Sequence, residues 1–435
     1  MRVVVIGAGV AGAAAARALR AAGADVVVLE ASDGVGGRTR TIERDGFRID
    51  TGAIFLMGSY ARTHSVLREL GRDGELHRWE ARTAVLDDRG RRHPVRLDRP
   101  WTLLGMPQLS VADRLRLARG IGALAARRGP APFAIDDLAA ADDGRTLAAW
   151  ARAAFGDQGF EYVVRPLMDP LTGADPEAIS AAFTIALMHQ VTRTQLTVTP
   201  GGMDGVARWL LDGVDVRLEE PALALEHDIG SVTVQTPSGA IGADAAVVAT
   251  DVRTAARLLD GAVDERVPAA LDAVVPVVAH HVLLGFRRDP WPRVPYDLVV
   301  RAGRGMHHDY GVLLNSRRAP GSCPPGGQSV SVYLDAAQTG GLDEDRAVRR
   351  AREALAQAFG DVEPDLVRAF PMDVALIAPT PGHYRRMLEA RDRMPSRIQL
   401  AGDFLTHSGI EGALLSGEHA AAALLRRRTA ATVAA

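Results

Sequence analysis

The first thirty residues alternate between apolar runs and a segment of small residues, which predicts a strand, a helix and a second strand. We expect the strands over residues 2–6 and 25–30 and an alanine-rich helix over 11–22. A glycine-rich turn separates the first strand from the helix, and Gly23 ends the helical pattern. Two strands joined by one helix over so short a stretch are typical of a parallel βαβ unit.

Two further patterns divide the rest of the chain. Residues 111–128 carry leucine and isoleucine at helical spacing among arginines. We expect a helix here that packs on its own domain, with a helix lying on a membrane surface as the alternative. A helix is also expected over 343–359. Separated apolar runs predict strands from 214 onward and over 231–235, 245–249, 274–286, 297–300, 311–314 and 329–334.

Composition narrows the class of protein. A chain of 435 residues suggests two or three structural units, and a net charge of −2 gives no basic surface for nucleic acid. No apolar stretch is long enough to span a membrane, and no signal peptide precedes the first strand. Cys323 is the single cysteine, which excludes an intrachain disulfide and a thiolate metal site. We therefore expect a cytoplasmic protein without a metal.

All 51 basic residues of the chain are arginine, and no lysine is present. Arginine keeps its proton in proteins, whereas lysine can lose it when buried. No lysine can therefore act as a base, form a Schiff base or contact a cofactor in this protein.

The turn after the first strand carries candidate chemistry. Gly7-Ala8-Gly9-Val10-Ala11-Gly12 follows a strand and opens a helix, and Glu30 ends the second strand. Gly7 permits a tight turn, Gly9 lets the backbone approach a pyrophosphate, and Gly12 lets helix and strand pack closely. Phosphate would lie at the helix N-terminus, and Glu30 would accept a hydrogen bond from a ribose hydroxyl. The unit predicts a dinucleotide site.

Small residues continue after the second strand. Gly36 and Gly37 let the chain pass close to a ligand, and Arg38 can pair with phosphate oxygens. This stretch resembles the second fingerprint of FAD enzymes in the flavin-containing amine oxidase superfamily, which includes protoporphyrinogen oxidases and phytoene-desaturase-like enzymes. Four further stretches resemble other motifs of that superfamily, namely residues 48–55, 200–203, 221–222 and 245–251.

The C-terminal part adds a further resemblance. Leu400-Ala401-Gly402-Asp403, followed by Glu411 to Gly417, is similar to the superfamily's C-terminal flavin motif. The resemblance implies that Asp403 accepts from ribityl hydroxyls. It also implies a helix from near Ile410 whose dipole stabilises negative charge on the isoalloxazine. FAD is thus expected, held without a covalent bond by Gly7, Ala8, Gly9, Val10, Ala11, Gly12, Glu30, Ala31, Gly36, Gly37, Arg38, Gly52, Ala53, Ile54, Phe55, Ala222, Gly402, Asp403, Ile410 and Ala413.

The resemblance also implies an interleaved fold, α/β combined with α+β. A Rossmann-type FAD-binding domain over 1–58, 196–262 and 370–435 would enclose a substrate-binding domain over 59–195 and 263–369. The first insertion is expected to be helical and the second to carry a mixed or antiparallel sheet, with FAD between the domains. No motif identifies the substrate pocket, whose candidate lining residues are Met188, His189, Trp209, His307, His308 and Tyr310.

Three positions depart from the superfamily's pattern. Amine oxidases usually place a lysine ten residues before a tryptophan, and this chain has His281 in register with Trp291. A histidine titrates near neutral pH, so His281 is a candidate acid or base, or else a structural residue of the sheet. The aromatic-cage positions fall on Ala375 and Ile410, and Cys323 lies outside the C-terminal motif, which excludes a cysteinyl flavin.

These features favour an FAD-dependent oxidoreductase that takes hydride from an activated C–H of a small, largely apolar substrate onto flavin N5. The first expectation is C–C desaturation in bacterial secondary or isoprenoid-type metabolism, with molecular oxygen or another acceptor reoxidising the flavin. The alternative is an amine or amino-acid oxidase with an atypical site. An isomerase or cyclase without net redox change, and a partner-binding protein with structural FAD, are further alternatives. The sequence leaves a homodimer open.

Overall fold

The structure is a computed structural model that describes residues 1–96, 99–126, 129–190, 195–303, 309–336, 341 and 343–434. Within these residues the strands are β1 (Arg2–Ile6), β2 (Asp25–Leu29), β3 (Thr41–Arg44), β4 (Phe47–Asp50), β5 (Leu56–Met57), β6 (His77–Trp79), β7 (Arg82–Leu86), β8 (Arg92–Arg96), β9 (Leu196–Val198), β10 (Asp215–Arg217), β11 (Ala224–His227), β12 (Val232–Thr236), β13 (Gly239–Ala243), β14 (Ala245–Val248), β15 (Val275–Phe286), β16 (Leu298–Arg301), β17 (Asp309–Leu314), β18 (Gln328–Asp335), β19 (Leu366–Ala378) and β20 (Ile398–Leu400).

The α-helices of the described residues are α1 (Val10–Ala21), α2 (Ala61–Glu69), α3 (Val111–Ala125), α4 (Ile135–Ala141), α5 (Leu147–Gly159), α6 (Arg165–Thr172), α7 (Ala182–Met188), α8 (Gly205–Leu210), α9 (Val252–Leu259), α10 (Arg266–Asp272), α11 (Asn315–Arg318), α12 (Glu344–Phe359), α13 (His383–Asp392) and α14 (Ile410–Ala434). A π-helix over Phe160–Val164 joins α5 to α6. None of the described helices is both long and apolar enough to cross a lipid bilayer.

A five-stranded parallel sheet, in the order β10-β2-β1-β14-β20, forms one half of the molecule. The predicted βαβ unit is confirmed, because β1 pairs with β2 along its whole length and α1 connects them. β14 is buried on both faces, as its continuous apolar sequence predicts. Since these parallel strands come from both ends of the chain, distant segments end at the same edge of the sheet.

The helices α1 and α14 cover one face of this sheet with their backbones in close approach. A Cβ on Gly417 would lie 2.0 Å from the carbonyl oxygen of Ala11. The alanines of α1 are buried between the sheet and α14, which explains why this helix carries so many small residues. The N-terminal turn of the chain and the start of its last helix are thereby held together.

A seven-stranded mixed sheet, in the order β19-β15-β18-β17-β16-β7-β8, forms the other half. The first insertion, which was expected to be helical, also contains strands, and β7 and β8 extend this sheet. Residues 83–86 have the apolar character needed to pair in parallel with 298–301. β19 was not predicted. The expected domain boundary at residue 370 falls inside this strand, whose pairing with β15 continues to Ala378.

Candidate active site

The glycine turn between β1 and α1 leaves a cleft at the start of the helix. Gly7 has a φ of +105°, and a Cβ there would lie 2.6 Å from the carbonyl oxygen of Ala249. A Cβ at Gly12 would lie 1.9 Å from the carbonyl oxygen of Gly7, so both glycines are required for packing. A Cβ at Gly9 would meet no atom within 4 Å. This open space at the N-terminus of α1 fits a pyrophosphate. The neighbouring residues of the turn are buried beneath it, namely Ala8, Val10 and Ala11.

Glu30 is fixed at the end of β2 by this same turn. Its Oε2 accepts a hydrogen bond from the Ala8 backbone N–H at 2.8 Å. The Glu220 backbone N–H donates to the Glu30 carbonyl oxygen at 2.8 Å, which brings residues 220–222 to the end of β2. Ala31 is exposed beside Glu30, and Ala222 is buried. The residues expected on the adenosine side of FAD are therefore grouped at one edge of the parallel sheet.

The second glycine-rich stretch runs directly alongside the first. The Gly36 backbone N–H donates to the Ala8 carbonyl oxygen at 2.9 Å. A Cβ on Gly52 would lie 2.2 Å from the Arg38 carbonyl oxygen, to which the Ala53 N–H donates at 2.9 Å. Three segments that were expected to bind FAD are thus joined by backbone contacts. These segments also contain Gly37, Ile54 and Phe55.

Arg38 and Asp403, both expected to contact FAD, form a bidentate ion pair although they lie 365 residues apart in sequence. The two guanidinium nitrogens donate to the two carboxylate oxygens at 2.9 and 2.6 Å. Burial would lower the pKa of Arg38, but the carboxylate of Asp403 outweighs it and raises that pKa. The Asp403 side chain is 7% exposed and that of Arg38 33%, so the arginine remains accessible. Such a fork geometry suits phosphate oxygens as well as carboxylates.

The C-terminal motif folds as a tight corner before α14, which begins at Ile410 as expected. The Gly402 backbone N–H donates to the Ser416 hydroxyl at 2.9 Å, so Asp403 is held against the first turns of the helix. Glu411 accepts hydrogen bonds from the Arg62 and Thr63 backbone N–H groups, both at 2.8 Å. Glu411 is therefore a cap for α2. Ile410 is buried and Ala413 is partly buried in the first turn.

His281 is completely buried in the seven-stranded sheet. It lies on the face near Asp50 and Thr51, at the end of β4. Its Nε2 is 2.8 Å from the Ser331 hydroxyl, and its ring stacks on Tyr333 at 4.6 Å. Burial lowers the pKa of His281 to about 4, against the opposing effects of the Thr51 backbone and Asp50. Nδ1 makes no hydrogen bond of good geometry with the described residues, although the Thr51 backbone lies close enough to the ring to act on its pKa. His281 is thus neutral at pH 7.

His280 lies on the opposite face of the same strand. Side chains alternate along a strand, and His280 Nε2 is 3.2 Å from the carbonyl oxygen of Gly341, on the α12 side. Trp291 also packs in this apolar layer, 5.0 Å from Phe286. Of the two neighbouring histidines, only His281 points toward the FAD-binding segments.

Arg318 was missed by sequence reasoning, because nothing distinguishes it among 51 arginines. It is 1% exposed and donates to Asp50 Oδ2 and to the Ile54 carbonyl oxygen, both at 2.7 Å. Asp50 Oδ1 also accepts from the Met203 backbone N–H at 2.9 Å. Tyr333 donates its hydroxyl to the Gly52 carbonyl oxygen at 3.1 Å. The seven-stranded sheet and α11 therefore fix the turn over residues 50–55 through these hydrogen bonds.

His407 is another buried histidine. Sequence reasoning missed it, because it lies in the irregular loop between Asp403 and α14. Its ring stacks on Phe183 at 3.7 Å, and its Nδ1 is 3.2 Å from the Ser408 carbonyl oxygen. Burial lowers the pKa of His407 to about 4. Its Nε2 is buried and has no partner within the described residues. A neutral imidazole therefore lies beside the C-terminal motif.

The two cage positions and the expected pocket residues are scattered. Ala375 lies on β19 and is half-buried, and Ile410 is buried at the start of α14. Trp209 lines a separate cavity of about 710 Å³ with arginines of α1, so it does not belong with the FAD-binding segments. Tyr310 donates its hydroxyl to the Gly173 carbonyl oxygen at 2.7 Å. Met188 ends α7, with His189 directly after it, and two further candidates lie outside the described residues, His307 and His308.

The sequence from residue 10 to residue 425 matches the family described as flavin containing amine oxidoreductase. The chain belongs to this family. Members of the amine oxidoreductase family contain flavin, and the Gly9 cleft, Glu30 and the Arg38–Asp403 pair fit FAD. A cysteinyl link at the C-terminal motif is excluded, since Cys323 lies near Ser329, 3.4 Å from its hydroxyl.

Individual relatives in this amine oxidoreductase family share only short stretches with the chain. Putrescine oxidase of Kocuria rosea is 41% identical over 91 residues, which are 21% of this chain and 19% of that protein. Phytoene dehydrogenase of Streptomyces griseus is 56% identical over 54 residues, which are 12% of this chain and 11% of that protein. These matches therefore span less than a fifth of either relative.

The whole fold is shared with solved structures. Cyclohexylamine oxidase from Brevibacterium oxydans IH-35A superimposes with a TM-score of 0.76 at 22% sequence identity, covering 98% of this chain and 99% of that chain. At this identity the likeness establishes the fold of the amine oxidoreductase family.

Proposed function

We propose that this FAD-dependent oxidoreductase removes hydride from an activated C–H bond of a small, largely apolar substrate, most simply to form a C–C double bond. The observation that carries the proposal is the absence of unpaired charge around His281 among the described residues. His281 is neutral and flanked by Tyr333 and Phe370, and the buried Arg318 is neutralised by Asp50. Such a face suits an apolar substrate better than an ammonium ion, which would need a compensating charge.

Bound FAD supplies the hydride acceptor. We assign the pyrophosphate to the open space at Gly9 and the ribose hydroxyls to Glu30. Arg38 and Asp403 would together hold the ribityl and phosphate groups, and the N-terminus of α14 would stabilise negative charge on the flavin. The seven-stranded sheet orients the turn at Gly52, because the Tyr333 hydroxyl on β18 donates to the Gly52 carbonyl oxygen.

The second proton requires an acceptor, and we assign this role to His281. A neutral imidazole carries one unprotonated ring nitrogen, which is Nδ1 when Nε2 donates its hydrogen to the Ser331 hydroxyl. The hydrogen bond between Nε2 and the Ser331 hydroxyl fixes the ring, and the Asn315 amide donates to the same hydroxyl at 2.9 Å. The proton acceptor is therefore held in one orientation.

Amine oxidation is the second candidate, because the family and the cyclohexylamine oxidase fold both favour it. The neutral His281 also supports it, since an amine oxidase needs a group that accepts a proton from the substrate ammonium. The absence of aromatic side chains at Ala375 and Ile410 speaks against it.

Anaerobic mixing of the oxidised holoenzyme with matched compounds tests the reaction class. We expect unsaturated or hydroaromatic compounds to bleach the flavin absorbance, and amines or amino acids of similar size to leave it unchanged. Rapid bleaching by amines alone would replace the first candidate with the second. Turnover only by enzyme reduced beforehand, without net consumption of reductant, would instead identify an isomerase or cyclase.

His281→Ala tests the assignment of the proton acceptor, with His280→Ala as the matched control. Both side chains are fully buried on the same strand, but only His281 faces the FAD-binding segments. We expect His281→Ala to slow flavin reduction by about 100-fold, a usual size for loss of a general base. His280→Ala should retain the wild-type rate per bound FAD. Equal rates in the two variants would make His281 a structural residue.

A further inference from the structure

Helix α3 is attached to the molecule along one face only. Leu117 is its only buried side chain, and a Cβ on Gly120 would lie 2.5 Å from a ring carbon of Phe155 in α5. Val111 is 71% exposed and Leu115 56%. The expectation that this helix packs on its own domain is therefore confirmed for one face, while a second apolar face lies in solvent.

The exposed apolar residues of α3 form a continuous line. With about 3.6 residues per turn, positions spaced by four and three residues fall on one face of a helix. Ile121, 39% exposed, lies at the edge of this line. We call the line the α3 stripe; it consists of Val111, Leu115, Ala118, Gly122 and Ala125, all exposed.

Positive charge borders the α3 stripe. Arg114 lies on one side of the stripe and Arg119 on the other, and Arg116 lies further from it around the helix circumference. All three arginines are exposed. None of them forms an ion pair within the described residues. The single acidic residue of α3, Asp113, caps its own helix by accepting from the Ser110 N–H at 2.9 Å. The Ser110 hydroxyl and, to a lesser extent, Arg116 lower the pKa of the Asp113 carboxyl. Arg114 and Arg119, beside the stripe, have no ion-pair partner on this helix.

We propose that α3 docks this protein on the surface of a membrane that contains anionic lipid. The α3 stripe enters the boundary between headgroups and acyl chains, and the flanking arginines bind lipid phosphates. Trp101, 59% exposed in the turn just before α3, is of a residue type that favours this boundary. An apolar line bordered by exposed arginines matches the acyl boundary and the anionic headgroups of such a surface, although Arg114 also donates to the Met106 carbonyl oxygen at 3.4 Å.

A second copy of the chain is the other candidate occupant of the α3 stripe. A symmetric pair of α3 helices would bring two sets of three arginines together, with only one carboxylate, the capping Asp113, on each helix. Lipid phosphates neutralise the same arginines. Charge therefore favours the membrane surface over a dimer.

Sedimentation of the full-length holoenzyme with vesicles tests the proposal. We expect binding to vesicles of equal parts phosphatidylcholine and phosphatidylglycerol, and little binding to phosphatidylcholine alone. About 0.5 M NaCl should reduce the bound fraction severalfold, because salt screens exposed charges. Arg114→Gln combined with Arg119→Gln should abolish the preference for the anionic vesicles.

Leu115→Asp should lower vesicle affinity by roughly tenfold or more, because it removes apolar area and adds a like charge to the lipid phosphates. Val111→Asp should act in the same direction. Ile229→Asp is the matched control, since Ile229 is 98% exposed in a different part of the chain. All three variants should keep wild-type FAD absorbance and melting temperature, because each changes an exposed side chain.

Three outcomes would overturn the proposal. One is that no vesicle sediments the wild-type protein. Another is that Leu115→Asp and Ile229→Asp bind equally well. The third is that light scattering finds a wild-type dimer that Leu115→Asp converts to a monomer, which would assign the α3 stripe to a second copy of the chain.

Discussion

At the scale of single residues, Gly9 and Gly12 differ in what a side chain at each position would contact. Gly12 is confined by the protein's own backbone, and a methyl group there would collide with the Gly7 carbonyl oxygen. Gly9 has an ordinary φ of −70° and open space around it. The protein's own packing therefore explains a glycine at position 12, whereas at position 9 the explanation must come from a ligand.

Gly9→Leu should produce a folded protein that does not hold FAD. The side chain fits the apoprotein but occupies the space assigned to the pyrophosphate. Hydrogen bonds to charged groups contribute about 1.5–3 kcal/mol each, so losing two of them weakens FAD by about 100-fold or more. FAD absorbance per protein after reconstitution measures this, with Gly242→Leu, at an exposed glycine that is also free of contacts, as the control. Normal FAD content in Gly9→Leu would refute the assignment.

The parts of the site that could be predicted are those in which local geometry dictates residue type. Gly7 and Gly12 are such residues, and so is Asp403 before a glycine-rich helix start. Arg318 and His407 could not be predicted, because their roles depend on partners that the fold brings from distant strands and loops. No periodicity in the sequence marks such contacts.

At the scale of elements, the strands with regular apolar runs could be predicted and β19 could not. Pro371 lacks a backbone N–H, which argues against a strand, but β19 is an edge strand where a proline is tolerated. The register between β15 and β19 also shifts between Val277 and Ala279, so the alternation is broken. The half-buried edge therefore lacks the pattern that identified β15 and β18.

Glu411→Ala should destabilise the protein by about 2–3 kcal/mol, because it leaves two backbone N–H groups of α2 without their cap. Glu418→Ala is the control. It removes a partner of the Arg62 guanidinium, but that pair is partly exposed and should contribute less than about 1 kcal/mol. Urea unfolding followed by fluorescence gives both values. Equal losses in the two variants would mean that the Glu411 cap stabilises the protein no more than a partly exposed ion pair does.

At the scale of the whole molecule, three buried histidines have strongly lowered pKa values. His281 lies in the seven-stranded sheet, His383 begins α13 and His407 precedes α14. Burial is the largest cause in each case, and it lowers their pKa values to about 4, about 3 and about 4. The folded protein therefore keeps three neutral imidazoles under conditions in which an unfolded chain would protonate them.

These histidines should make stability fall as the pH falls. Between the unfolded value of 6.5 and the folded value of about 4, the unfolded chain binds more protons, so the free energy of unfolding rises with pH across this window. At about pH 5 each histidine should cost about 2 kcal/mol relative to neutral pH. Burial raises the pKa of Asp169 to about 6 and also raises those of Asp204 and Asp297, which opposes this trend. Burial also lowers the pKa of His419, which adds to the trend.

Melting temperatures of the holoenzyme at pH 7 and at about pH 5 measure this effect. The wild type should lose stability steeply, and His281→Asn or His407→Asn should each flatten the dependence, whatever their stability at pH 7. His77→Asn, at an exposed histidine, should leave the slope unchanged. If all three variants keep the wild-type slope, the acid sensitivity arises from groups other than the buried histidines. If the wild type shows no loss, the imidazoles are charged inside the fold and the role proposed for His281 as a neutral acceptor fails with them.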